Sequence, residues 1–61
     1  MADKRLIYKS EVRPDIFVVC TLRGDEYQVQ LQHEHGIKYQ QTDDAQRAID
    51  IIREFTKEAT E

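Results

Sequence analysis

The side chains that could support metal chemistry in this chain are concentrated in one short segment. His33 and His35 flank Glu34, and two histidines two positions apart in a strand lie on one face, as metal ligands can. A zinc site needs three or four ligands. Cys20 is the only cysteine, and it is expected roughly 13 Å from this segment at the rise of a β-strand. We therefore predict no metal site and no cofactor.

The sequence also contains no clear combination of residues that is typical of a catalytic site. Ser10, the only serine, falls in a predicted strand with no identifiable base, and Asp43-Asp44 is better interpreted as a helix start than as a carboxylate pair. The two glycines, Gly24 and Gly36, each fit a turn and form no phosphate-binding loop. A chain of 61 residues has little room for a pocket of about 300 Å³ or more. We predict a non-enzymatic protein with no small-molecule substrate.

Size and composition predict one small domain over residues 1–61. A chain of this length buries only about 60% of its unfolded surface and is marginally stable alone. With one cysteine it has no disulfide within the chain, so an oligomer partner is the expected source of additional burial. One unpaired cysteine without a signal peptide predicts a cytoplasmic protein. No apolar run reaches the roughly 18 residues that span a membrane.

The net charge of −3 is unevenly distributed along the chain. Residues 1–24 carry five basic and three acidic side chains, whereas residues 25–61 carry four basic and nine acidic ones. The acidic total argues against general nucleic-acid binding, which usually shows a basic balance. The excess of basic residues in residues 1–24 is nevertheless compatible with a local basic surface.

Alternation of apolar and polar residues predicts four β-strands, at about 5–12, 16–23, 26–33 and 37–41. The clearest alternation is E-Y-Q-V-Q-L-Q-H at residues 26–33, which indicates a strand with one buried and one outward face. Gly24-Asp25 fits a two-residue type II′ hairpin turn with glycine first. The cross-strand pairs that this turn predicts are Arg23–Glu26, Leu22–Tyr27, Cys20–Val29, Val18–Leu31 and Ile16–His33.

The last hairpin has two possible registers. A two-residue His35-Gly36 loop would place Ile37 and Tyr39 on the glutamine face of the sheet. A three-residue loop at 34–36 places both in the core, and a one-residue slip turns every side chain over, so we predict the longer loop. Its pairs are His33–Ile37 and Leu31–Tyr39. A three-residue connection at 13–15 likewise predicts the pairs Val12–Ile16, Tyr8–Cys20 and Leu6–Leu22.

A helix is predicted at about 43–58, with Thr42 or Asp43 as its cap. Its apolar residues recur at helical spacing and should lie across the inner face of the sheet. The predicted fold is therefore α+β, a four-stranded antiparallel meander with one C-terminal helix packed across one face (ββββα). The predicted core consists of Leu6, Tyr8, Val12, Ile16, Val18, Cys20, Leu22, Tyr27, Val29, Leu31, Ile37, Tyr39, Ile49, Ile52 and Phe55.

The face of the sheet turned away from the helix, here called the outer face, is the predicted working surface. An apolar patch rimmed by polar groups usually marks an interface. We expect a protein-interaction module that forms a homodimer or binds another protein, as a small accessory, regulatory or inhibitor protein. The predicted partner-binding residues are the anchors Ile7, Phe17 and Val19 and the polar rim Lys9, Arg23 and Gln30. The sheet edge at the last strand is a second possible docking site.

Single-stranded RNA or DNA binding on the same face is the alternative. Its basic residues would contact phosphates, Phe17 would stack on a base, and glutamines would contact base edges. The residues predicted for this function are Arg5, Lys9, Phe17, Arg23 and Lys38.

Overall fold

The structure, a computed structural model, describes residues 3–61. Four strands and one helix follow one another along the chain: β1 (Lys4–Arg13), β2 (Ile16–Arg23), β3 (Glu26–His33), β4 (Gly36–Thr42) and α1 (Ala45–Thr60). The strands form one antiparallel sheet in the order β1-β2-β3-β4, and α1 contacts all four strands. The predicted ββββα fold is confirmed.

The central hairpin has the predicted register. Gly24 has a φ of 64°, and Asp25 does not have a positive φ, as a type II′ turn requires. Arg23 therefore lies opposite Glu26. The pairs Leu22–Tyr27, Cys20–Val29 and Val18–Leu31 also form as predicted. This hairpin sets which side chains of β2 and β3 enter the core.

The prediction for the last hairpin was wrong. A two-residue turn, Glu34-His35, places His33 opposite Gly36. The His35 backbone N–H donates to Nδ1 of His33 at 3.2 Å within this turn. Gly36, at a φ of 141°, takes a conformation that favours glycine and begins β4 directly. Each side chain of β4 therefore lies on the face of the sheet opposite to the predicted one.

Strand β1 differs from the prediction because it contains two bulges. The turn before β2 has two residues, Pro14 and Asp15, and Asp15 has a φ of 66°, as the third position of a type II turn requires. Val12 is the extra residue of the first bulge, which restores the predicted Tyr8–Cys20 pair. A second bulge, at Ile7, shifts the strand again. The shift moves Leu6 from the predicted position opposite Leu22 to one opposite Thr21.

The core lies between α1 and the inner face of the sheet. Asp44 caps the helix, one residue later than predicted, by accepting from the backbone N–H groups of Gln46 at 2.9 Å and Arg47 at 3.5 Å. The buried core residues are Val18, Cys20, Val29, Leu31, Ala48, Ile51 and Phe55. Val12, Ile16, Tyr27, Ile52 and Ala59 pack against them and are partly buried.

Five residues of the predicted core are exposed instead: Leu6, Tyr8, Ile37, Tyr39 and Ile49. Leu6 changes face because of the bulge at Ile7, and Ile37 and Tyr39 change face because of the short last turn. Tyr8 keeps its predicted position opposite Cys20 but lies on an edge strand, at the margin of the width that one helix covers. On α1, Ile51 is 1% exposed and Ile49 is 44% exposed, so the helix presents a face rotated from the predicted one. Both faces have helical spacing, and the sequence pattern alone favoured the wrong isoleucine.

The two isoleucines provide a matched test of helix orientation. We expect Ile51→Ala to lower the free energy of unfolding by about 2–4 kcal/mol, or to abolish the cooperative transition, because it leaves a cavity in the core. Ile49→Ala should change it by less than about 1 kcal/mol, since that side chain lies at the surface and its loss leaves no cavity in the core. Urea denaturation followed by circular dichroism measures both. Equal losses in the two variants would contradict the helix orientation described above.

Candidate interaction surface

The outer face is organised in transverse rows of side chains, one from each strand. The tyrosine row consists of Lys9, Val19, Gln30 and Tyr39. The isoleucine row, next to it along the strands, consists of Glu11, Phe17, Gln32 and Ile37. A third row, Leu6, Thr21, Gln28 and Gln41, follows on the other side of the tyrosine row. Directly opposed side chains in such rows lie within contact distance across a sheet.

The outer face exposes large apolar side chains. Leu6, Ile37 and Tyr39 are 60%, 62% and 57% exposed. On β2, Phe17 is partly buried, and Val19 is buried although no helix covers it. The glutamines of β3 lie between these two residues and the exposed residues of β4. Contiguous exposed apolar residues with a polar rim are typical of a protein interface.

Polar side chains on this face are ordered by their neighbours. The Lys9 ammonium lies 5.1 Å from the centroid of the Phe17 ring, a cation–π distance. The Gln32 side-chain amide donates to Oε1 of Gln30 at 2.9 Å, linking the isoleucine row to the tyrosine row. The glutamines keep polar atoms available beside the apolar residues.

Most of the predicted partner-binding residues share this surface. Lys9, Phe17, Val19 and Gln30 lie in two adjacent rows of the outer face, and Arg23 lies on the same face at the opposite end of β2. Ile7 is exposed but lies in the β1 bulge without a cross-strand partner, so the register does not assign it to either face.

Two residues predicted for nucleic-acid binding lie on the other side of the sheet. Arg5 is opposite Leu22, in a row of the inner face. Lys38 is opposite Leu31 and binds the Glu58 carboxylate of the helix at 3.1 and 3.2 Å. Its ammonium also lies 5.6 Å from the centroid of the Phe55 ring. The expectation that Arg5 and Lys38 belong to the outer face was therefore wrong.

The sequence interpretation also missed three residues of the surface: Leu6, Ile37 and Tyr39. Each is apolar and was assigned to the core. The signal that could have found Ile37 and Tyr39 was the option of a two-residue turn, which places them on the glutamine face. Nothing in the sequence pattern indicated the bulge that moves Leu6.

Charges of both signs lie on the outer face. Lys4, Lys9 and Arg23 are basic, whereas Glu11 and Glu26 are acidic, and Arg23 is directly opposite Glu26. A depression of about 410 Å³ lies at the end of the sheet near Gly24. Its lining is Lys4, Thr21, Arg23, Gly24, Asp25, Glu26, Gln28 and Gln41, so it combines acidic, basic and amide groups. The basic character expected of a nucleic-acid platform is therefore reduced.

The residues considered for chemistry are not assembled into a site. The rings of His33 and His35 are 6.1 Å apart between centroids, beside a depression of about 290 Å³ that Pro14, Asp15, Ile16 and Glu34 also line. Within residues 3–61 there is no group of three or more His, Cys, Asp or Glu residues placed to hold a metal ion. Over the same residues, no helix has the length and apolar character needed to cross a bilayer.

Comparisons with protein-family models, curated proteins and solved structures find no significant match to this chain.

Cys20 provides a prediction about reactivity. Burial raises the pKa of its thiol, and the side chain is 1% exposed within the core. We expect the native protein to react with a thiol reagent at neutral pH at least about a hundredfold more slowly than the urea-unfolded chain. Stopped-flow absorbance with a chromogenic disulfide reagent measures both rates. Comparable rates in the two states would mean that Cys20 is accessible in the native fold.

Proposed function

We propose that this chain is a non-enzymatic protein-interaction module whose outer face binds a second copy of itself. The observation that carries the proposal is the position of Ile37 and Tyr39. Both are more than half exposed and lie in the same two rows as Phe17 and Val19, separated from them by the glutamines of β3, while the helix covers only the opposite face. A second copy would remove these apolar groups from water.

The size of the outer face supports a partner of similar width. Four strands of about eight residues span roughly 500 Å² in plan, at about 4.8 Å between strands and 3.3 Å per residue. Two copies whose outer faces overlap completely would bury on the order of 1,000 Å² in total, at the lower limit of specific interfaces, and a partial overlap would bury less. For a chain whose whole accessible surface is 4505 Å², this is a substantial gain in burial.

The charge pattern favours a second copy over nucleic acid. A phosphate-binding surface needs an excess of basic groups. Here two acidic groups, Glu11 and Glu26, lie among three basic ones, and Lys38 is paired with Glu58 on the helix side. A surface with charges of both signs can instead be complementary to itself.

The cellular role that we propose follows from these properties. A chain with a buried lone cysteine fits a reducing compartment such as the cytoplasm. A small dimer without assembled catalytic residues fits an accessory or regulatory protein, including an inhibitor, that acts by occupying the surface of another protein.

Tyr39→Glu tests the proposed surface. Because the dimer is symmetric, this substitution buries one carboxylate from each copy in the interface. We therefore expect the mass in solution to fall from twice the 7.2 kDa chain mass to that of one chain. The matched control is Ile49→Glu, an exposed apolar residue on the helix, which should stay dimeric. Sedimentation equilibrium measures the mass, and circular dichroism confirms that both variants are folded.

Phe17→Glu should also dissociate the dimer, since Phe17 lies on the same face. A wild-type protein that is monomeric at all accessible concentrations would refute the proposal. A monomer that gains mass only with single-stranded RNA or DNA, and loses it steeply with salt, would support the nucleic-acid alternative instead.

A further inference from the structure

The tyrosine row and the isoleucine row, which are the two rows nearest the start of β2, match each other in chemical type, strand by strand. On β1, Lys9 of the tyrosine row stands beside Glu11 of the isoleucine row, a cation beside an anion. On β2 the corresponding residues are Val19 and Phe17, which are both apolar. Strands β3 and β4 continue the match, with two amides on β3 and two apolar residues on β4, namely Gln30 with Gln32 and Tyr39 with Ile37.

From this match we infer how the second copy binds. The two outer faces stack about a two-fold axis that lies between the two rows, perpendicular to the strands. The inference rests on the proposed self-association and specifies its geometry. In an isologous contact, residue i of one copy meets residue j of the other, and j meets i. This axis therefore places the tyrosine row of each copy over the isoleucine row of the other.

Every contact that the axis creates is between compatible groups. Each Lys9 faces the Glu11 of the second copy, and each Val19 faces a Phe17. The glutamines of the two copies can donate to and accept from one another, since each side-chain amide has both functions. On β4, at the other edge of the sheet, each Tyr39 faces the Ile37 of the second copy.

The usual geometry of stacked sheets is compatible with this arrangement. Two stacked sheets lie about 10 Å apart and cross at about −30°, so the axis would tilt about 15° from the perpendicular. Over half the width of a four-stranded sheet this tilt displaces the axis by about 2 Å and the second copy by about 4 Å, less than the roughly 6.6 Å between successive side chains on one face. The offset is smallest at the central strands, and the long side chains of Lys9 and Glu11 can span it at the edge strand.

An axis parallel to the strands is less favourable. It would place β1 of one copy over β4 of the other, so that Glu11 faces Ile37 and Lys9 faces Tyr39. A carboxylate against an isoleucine loses hydration without gaining a partner. The charge pair on β1 therefore discriminates between the two arrangements.

The charged groups are available for this contact. Among the described residues, neither Lys9 nor Glu11 forms an ion pair, and the Lys9 ammonium lies over the Phe17 ring at the boundary between the rows. Both residues lie on β1, an edge strand, so the proposed pairs are at the rim of the interface. Rim charges affect orientation and specificity more than total affinity.

A charge-swap series tests the axis. Lys9→Glu alone would oppose two carboxylates at each of two symmetric contacts, and Glu11→Lys alone would oppose two ammonium groups. We expect each single variant to raise the dimer dissociation constant about tenfold or more. The double variant Lys9→Glu/Glu11→Lys restores both pairs and the net charge, and should return to within about threefold of the wild type.

Arg53→Glu is the matched control, because it makes the same charge change as Lys9→Glu at an exposed helix position. Sedimentation of all variants at one ionic strength gives the dissociation constants, and a dimer weakened by the single variants and restored by the double variant supports the axis. A double variant as weak as the single variants, or single variants no weaker than Arg53→Glu, overturns the axis. If Tyr39→Glu still dissociates the dimer in that case, the proposed function stands. A monomeric wild type overturns both.

Discussion

The structure depends on one geometric constraint, which is that a single helix can cover only one face of a four-stranded sheet. The core between α1 and the inner face contains only a few large side chains, with Ile51 and Phe55 from the helix and Val18, Val29 and Leu31 from the two central strands. The outer strands lie at the margin of this core. Apolar residues on β1 and β4 therefore remain exposed to solvent, whether they lie on the inner or the outer face.

The lengths of the turns determine on which face of the sheet each of these apolar residues lies. Each strand alternates with a period of two, so the number of residues in a turn determines the face of every residue that follows. The two-residue turn at Glu34-His35 places Lys38 over the helix, where Glu58 binds its ammonium, and places Ile37 and Tyr39 outside. The core tolerates this exchange because the apolar stem of a lysine can lie along apolar surface, and the Lys38 ammonium lies 5.6 Å from the centroid of the Phe55 ring.

The outer face therefore combines features that stability of the isolated chain does not require. It has exposed apolar residues on β1 and β4, less exposed apolar residues on β2, amides on β3, and charges of both signs on β1. The two bulges of β1 interrupt the regular pattern of its open edge, which disfavours pairing of that edge with another strand. This contrast directs the proposed self-association to the face of the sheet, where the tyrosine row and the isoleucine row are complementary to each other.

The sequence by itself determined the fold class, the order of the elements and the central hairpin. Alternation in residues 26–33 and the Gly24-Asp25 turn leave one consistent register, because glycine in the first turn position and the apolar pattern of both strands agree. It also placed Lys9, Phe17, Val19, Arg23 and Gln30 on one surface, since all five lie on the central hairpin or opposite it.

Only the tertiary structure decided the remaining positions. The bulges at Ile7 and Val12 have no local sequence signal. The sequence before β4 was compatible with both a two-residue and a three-residue turn, and β4 is too short to discriminate between them. Ile49 and Ile51 likewise both fit a helical apolar face. In each case the choice depends on how the helix packs across the sheet, which is a sum of long-range contacts that no local pattern contains.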